Sequence, residues 1–265
     1  MRRGLAPSRE RAQSDIAAGR VTVGGAPVDK PARLVAPSEP IEIVGPPPRY
    51  VGRGGEKLEA ALRRFGIDPS GRRALDAGAS TGGFVDCLLQ HGASEVVAVD
   101  VGYGQLHERL RADPRVDVRE RTNARDLAMA DLGEPVDLIT ADLSFISLRA
   151  VLDALLGIAA PGADLVLLVK PQFEAGREEA ARGKGVITDP EIHERVVQEV
   201  TAALQDRGAA IMGTMVSPLR GADGNVEFLL HVRPHAPDGR GPDDVSRLLD
   251  AVVASAAERE GRARS

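Results

Sequence analysis

Short apolar runs alternate with amphipathic stretches along most of this chain. Apolar runs closing at Asp76, at residues 95–101 (EVVAVDV), 116–120 and 137–142, and at 164–169 have the length and bounding of buried strands. Two more are predicted near 211–216 and 226–232. Between them lie helical patterns at 84–90 (FVDCLLQ) and 148–158, and a third that starts at Asp189-Pro190, a capping carboxylate followed by proline in the first helical position. Strands and helices in alternation predict a mostly parallel sheet covered on both faces. The first 45 residues read differently, as a short helix over 8–18 starting at Ser8, a strand at 21–23, a Gly24-Gly25 turn and an extended stretch ending at 41–44. That is too little to bury an enzyme core. Gly45-Pro46-Pro47-Pro48 makes a stiff spacer, and residues 238–242 (DGRGP) a second break before an amphipathic helix predicted over 243–258. The expected organisation is a small α+β domain (1–45), a Pro/Gly-rich linker (46–56), an α/β domain (57–235) and a C-terminal linker with helix (236–265).

Composition changes this picture in one respect. The chain carries a formal net charge of -5, but residues 1–73 balance at +6 and residues 74–265 at -11. Phosphate binding depends on local clusters of Arg and Lys, so a basic head on an acidic body suits an RNA contact confined to the head. Its candidate ligands are Arg2, Arg3, Arg9, Arg11, Arg20, Lys30 and Arg33. No apolar run approaches the length of a membrane span and the N-terminus lacks the apolar block of a signal peptide, so neither a membrane nor secretion is expected and the chain is placed in the cytoplasm. The single cysteine, Cys87, excludes an internal disulfide and reads as a buried, inert thiol. Five scattered histidines show no metal-ligand spacing, and no metal is expected.

The chemistry concentrates at residues 75–84 (LDAGASTGGF), where a strand ends on a carboxylate, turns through glycines and opens a helix. Glycines let a ligand approach the backbone, and a helix start presents free N–H groups. The run lacks both the G-x-G start of a dinucleotide fingerprint and the Lys-Ser/Thr of a phosphate-cradling loop. S-adenosylmethionine is the nucleoside cofactor left for such a turn. Asp76, Gly78, Ser80, Thr81, Gly82, Gly83 and Phe84 are the candidate contacts. Asp100, 22 residues after Gly78, suits the ribose hydroxyls. Asn123, leaving the third strand, is either an adenine contact or a plain turn residue. Ligands in open sheets of this kind sit beyond the carboxyl ends of the strands. There the sequence places Asp142, Lys170 directly after an aliphatic run, and Glu227, with Lys57 on a helix ahead of the first strand. Two lysines and two carboxylates on the cofactor edge are a candidate catalytic group.

The segments RRGLAPSRERA, YVGRGGEKLEAAL, LDAGASTGGF, VDVGYGQL, RTNARDL, ADLSFISL, VKPQFEAG and GNVEFLL, in that order between residues 2 and 234, resemble the TlyA-type ribosomal RNA methyltransferases, also called the haemolysin A family. The resemblance implies a small RNA-binding domain, of a type named after a small-subunit ribosomal protein, joined to an FtsJ-like, Rossmann-like methyltransferase domain. It implies S-adenosylmethionine-dependent methylation of cytidine 2'-hydroxyls in small- and large-subunit rRNA, with ribosomal RNA or ribosomal subunits as partner. The family's catalytic Lys-Asp-Lys-Glu set falls on Lys57, Asp142, Lys170 and Glu227, with Asp142 also at the cofactor. Lys170 is expected chiefly to orient the hydroxyl and stabilise the developing alkoxide. Two departures are visible: the family's small domain begins with a further helix-forming segment ahead of the RGL motif, so a shortened head is expected, and Gly52 stands where the family's linker motif has serine, a change expected to loosen the joint. Competing expectations are an RNA-binding protein with an inactive methyltransferase domain, a membrane-active haemolysin, and a nicotinamide-dependent oxidoreductase, the last disfavoured by the missing G-x-G.

Overall fold

The computed structural model describes residues 3–6, 9–17, 19–28, 30–46, 48–183, 185–221 and 224–234, which form two compact units divided between Arg49 and Tyr50. The helix predicted over 243–258, the start of the first helix at Ser8, Arg2, and the side chain of Arg11 lie outside the described residues. In the smaller unit, helix α1 (Arg9–Ala17) precedes an antiparallel sheet of order β2-β1-β3, with β1 Val21–Val23, β2 Ala26–Pro27 and β3 Ile41–Ile43. Gly24 and Gly25 both have positive φ, as the two-residue connection between β1 and β2 requires.

The larger unit starts earlier than the expected linker end at residue 56. Tyr50 is buried in its core and the Val51 N–H donates to Asp86, so these residues are part of the body and not of a free spacer. Helix α2 (Gly54–Phe65) follows, stopped by Gly66 in the left-handed conformation. The chain then runs β4 (Arg73–Ala77), α3 (Gly83–Gln90), β5 (Glu95–Asp100), α4 (Glu108–Arg111), β6 (Val116–Glu120), α5 (Met129–Leu132), β7 (Val136–Ala141), α6 (Leu152–Gly157), β8 (Ala159–Val169), α7 (Pro171–Glu174), α8 (Arg177–Arg182), α9 (Pro190–Gln205), β9 (Ala210–Val216) and β10 (Phe228–Arg233). The seven strands pair in the order β6-β5-β4-β7-β8-β10-β9. All ladders from β6 to β8 are parallel, and β10 alone runs against both of its neighbours.

The sheet is buried on both faces, which is why its strands read as continuous aliphatic runs. Leu58, Leu62, Val85 and Leu88 of α2 and α3 pack with Ala74 and Val96 on one face, and Leu152, Leu155, Val196 and Val200 of α6 and α9 pack with Leu75 and Ile139 on the other. Chain order reverses direction across the sheet at β4, between β5 on one side and β7 on the other. That switch opens a crevice at the carboxyl ends of β4, β5 and β7, bordered by the turn after β4.

Candidate active site

The turn after β4 is built for close approach. Gly78 has φ +88° and a Cβ there would lie 2.5 Å from the Asp142 carbonyl oxygen. Gly82 has φ +97°, and a Cβ would meet Leu110 at 2.3 Å. The backbone clash and the left-handed φ both demand glycine at position 78, while at position 82 the demand comes from φ, since the leucine end can move aside. The Ser80 N–H and the Gly102 N–H each donate to Asp100, at 2.7 Å, so this carboxylate organises the loops on both sides of the crevice while keeping lone pairs for a ligand. The Asn123 side-chain oxygen accepts from the Arg125 N–H and caps the one-turn helix over residues 124–126. This is the turn role, at a position that also lines the crevice. Asp76 is 1% exposed, accepts from the Thr140 hydroxyl at 2.8 Å through Oδ1, and has no partner at Oδ2. Burial pushes its carboxyl up to about 8; the Thr140 bond opposes that shift, and the charges of Asp142 and Asp100 add to it. A buried acceptor of this kind lowers its own cost when a cation reaches it.

Two adjoining cavities of about 510 and 520 Å³ share Gly78, Ser80, Asp142, Ser144 and Phe145. One is lined by Asp100, Val101, Asn123, Leu143 and Ile146, an apolar slot with polar ends. The other holds Lys57, Asp142, Lys170 and Glu227 together with Asp76 and Phe84. These four charged residues form two ion pairs. The Lys57 ammonium lies 2.5 Å from Glu227 Oε2, and the Lys170 ammonium lies 2.5 Å from Asp142 Oδ1 and donates to Ser144 Oγ at 3.0 Å. Lys57, Lys170 and Glu227 are buried, so the pairing is what makes their charges tolerable. Gly221 makes room for the Lys57–Glu227 pair, since a Cβ there would sit 2.7 Å from Glu227 Oε1.

Several residues here carry no sequence signal of their own. Arg53 and Arg220 line the charged cavity, with the Arg53 guanidinium donating to the Arg220 carbonyl. Phe145 is 91% exposed on a backbone with φ +65°, its ring 5.3 Å from that of Phe173. Ser144 binds Lys170 from a segment whose motif predicted only Asp142. A Cβ at Gly52 would lie 2.8 Å from Thr81 Oγ1, so this position packs directly against the glycine turn.

In the head, two of the candidate arginines are engaged within their own unit. Arg3 donates to the carbonyls of Ala36, Pro37 and Glu39, and Arg20 binds Asp15 and the carbonyls of Val44 and Gly45. Both brace their own unit. Arg9, Lys30 and Arg33 are exposed, Arg33 at 4.0 Å from Glu39. Among the described residues no cluster could hold a metal ion, and no helix is long and apolar enough to cross a membrane. Cys87 is fully buried, its sulfur 3.6 Å from His91 Nδ1.

A Rossmann-like sheet with one reversed strand, a glycine turn beside an acidic strand end, and a charged cavity next to it have the architecture of the methyltransferase class. The family described as FtsJ-like methyltransferase matches residues 50–233, and the S4 domain matches residues 2–41. The chain is 51% identical over 234 residues to the 16S/23S rRNA (cytidine-2'-O)-methyltransferase TlyA of Mycobacterium tuberculosis, covering 88% of this chain and 87% of that protein. It is 40% identical over 229 residues to Hemolysin A of Brachyspira hyodysenteriae, covering 86% and 95%. A protein from Streptococcus thermophilus solved under the name hemolysin superposes with a TM-score of 0.81 at 39% identity, covering 99% and 95%. The chain belongs to the TlyA/hemolysin A family of FtsJ-like methyltransferases.

Proposed function

We propose that this protein is an S-adenosylmethionine-dependent methyltransferase that modifies the 2'-hydroxyl of cytidine in ribosomal RNA. The observation that carries this reading is the pair of ion pairs, Lys57–Glu227 and Lys170–Asp142, set in one cavity against the glycine turn of a methyltransferase fold. The residues around the turn suit the cofactor. Asp76, with a buried acceptor lacking a partner, fits its amino group; Asp100 fits the ribose hydroxyls; the slot between Val101, Asn123 and Ile146 fits the adenine. When bound, S-adenosylmethionine supplies a methyl group on a positively charged sulfur.

The work of the chain is then to align an oxygen and neutralise charge. A ribose hydroxyl is a poor nucleophile, and holding it in line with the methyl group can lower the barrier by about 7–11 kcal/mol. Lys170 has three N–H donors, of which two point to Asp142 and Ser144. The third is available to the acceptor oxygen, whose negative charge grows as its bond to carbon forms. Asp142 and Ser144 fix the direction of that donor. The hydroxyl proton leaves toward the carboxylates that face the cavity, Asp142 and Glu227, and on to solvent. Lys57 keeps Glu227 in place. Phe145, an exposed aromatic face at the cavity mouth, suits an unstacked base, and Arg53 suits the flanking phosphate.

The name hemolysin among the relatives raises a membrane-acting alternative. The buried charge pairs favour the enzyme, since a pore or detergent-like action has no use for them. Incubation with S-adenosylmethionine labelled in its methyl group, and with naked rRNA or each isolated ribosomal subunit, should label RNA. Leakage from liposomes without labelled RNA would reverse the reading.

A further inference from the structure

We propose that Glu174 is a positioning residue for methyl transfer, a role that rests on the catalytic reading of Asp142 and Lys170. Its carboxylate is 4% exposed and accepts from the Leu148 N–H at 2.6 Å through Oε1 and from the Ser147 hydroxyl through Oε2, with the Arg149 guanidinium 3.4 Å from Oε2. The Glu174 carbonyl accepts from Arg149 as well, at 3.0 Å. These donors, on residues 147–149, lie where the loop over residues 142–147 ends and the one-turn helix Leu148–Ala150 begins. Glu174 itself closes α7, the single turn that begins directly after Lys170. One buried carboxylate therefore ties the two segments that carry the Lys170–Asp142 pair.

The loop needs such a tie. Phe145 holds a left-handed backbone conformation that a bulky residue adopts only when its surroundings over-determine it. At the near end, the Asp142 N–H donates to the Ala77 carbonyl, which extends the sheet pairing by one residue. At the far end stands Glu174, and from the same turn Phe173 packs its ring against Phe145. Between these anchors lie Asp142, Ser144 and Phe145, the groups that face the reacting nucleotide. A carboxylate suits the position for a countable reason: both its oxygens accept, and both are used. Glutamine has one accepting oxygen and would turn its amide N–H₂ toward a donor.

Glu174→Gln should bind S-adenosylmethionine with affinity within about threefold of the parent, because Asp76 and Asp100 are untouched, while kcat falls about 10- to 100-fold through misplacement of the acceptor side. Asp164, buried in β8 and bound by Arg72, His231 and Arg233, lines neither cavity; Asp164→Asn therefore serves as a control of lowered thermal stability and should keep kcat within about twofold. Ser147→Ala removes one donor and leaves the buried carboxylate in place. It should lower kcat in the same direction, and the double variant should be no worse than Glu174→Gln alone. Parental kcat in soluble Glu174→Gln and Ser147→Ala, or equal loss of kcat in Asp164→Asn at matched loss of stability, would overturn the role. Lys170→Ala run beside them separates the two claims. Turnover retained there overturns the catalytic reading; turnover abolished there and retained in the Glu174 variant overturns only the positioning role.

Discussion

Asp76→Asn should make the ligand-free protein more stable relative to the parent as pH rises, while removing most of its affinity for S-adenosylmethionine. The carboxyl of Asp76 is held near 8 by burial, against an ordinary value of 3.8. In the unfolded chain it ionises near its ordinary value. Stability contributed by this group is thus fully present below about pH 4 and is lost as pH rises toward 8, at about 1.4 kcal/mol per unit. From pH 5 to 7 the parent should lose about 2–3 kcal/mol that the asparagine form keeps. For a domain of this size that is about 5–10 °C in relative melting temperature. Asparagine retains the acceptor for Thr140 and adds N–H donors without a partner, at a cost of roughly 1–3 kcal/mol that does not vary with pH. The slope of the difference, and not its absolute value, is therefore the test. Melting curves of both forms from pH 5 to 8 suffice, since other titrating groups cancel in the comparison. Parallel profiles would refute the argument that a buried, unpartnered carboxyl waits for a cation. In the parent, calorimetry at pH 7 should also detect proton release on cofactor binding, which the asparagine form cannot show.

Asp100→Ala should weaken S-adenosylmethionine binding by about 1.5–3 kcal/mol or more, because it removes a charge-assisted acceptor and also frees the Ser80 and Gly102 N–H groups; unchanged affinity in calorimetry would remove the ribose role. Asp164 is pushed up by burial, yet bonds from His231, Arg72 and Arg233 hold it well below the usual carboxylate range. Its contribution is present at neutral pH and fades as pH falls below about 4, so Asp164→Asn should cost about 2–4 kcal/mol in urea unfolding at pH 7 and progressively less in acid. In the head, replacing Arg9 and Lys30 by alanine should weaken RNA binding and reduce the magnitude of the log affinity against log salt slope by about 0.7–0.9 for each phosphate no longer neutralised, without changing cofactor affinity. An unaltered slope would show that these side chains are only a solvated face.

The sequence was legible wherever a buried element ended on a charge. Asp100 ends β5, Asp142 and Lys170 directly follow the aliphatic strands β7 and β8, and Asp76 stands one residue before the end of β4, so each marks a place where a buried run gives way to the crevice. The fold class followed from the same runs, but the reversal of β10 did not, because an apolar strand reads identically in either direction. Lys57 and Glu227 were both picked out as crevice residues, but their pairing joins residues 170 positions apart and has no local signal. In the head, charge was visible while the carbonyls that Arg3 and Arg20 bind were not, because those partners lie 24 to 36 residues away in the chain. Ser144, Phe145 and Glu174 were overlooked for a related reason. Their importance lies in a loop conformation and its anchors, neither of which has a periodicity to read.

The central claim is that the cavity holding the two ion pairs directs a methyl group to a ribose oxygen of cytidine. The most direct measurement is digestion of rRNA to nucleosides after incubation with S-adenosylmethionine and either the parent protein or Lys170→Ala, followed by mass spectrometry. The account predicts 2'-O-methylcytidine from the parent and none above background from the variant, with cofactor affinity retained in both. A methyl group found on a base, or equal yields of 2'-O-methylcytidine from the two proteins, would contradict it.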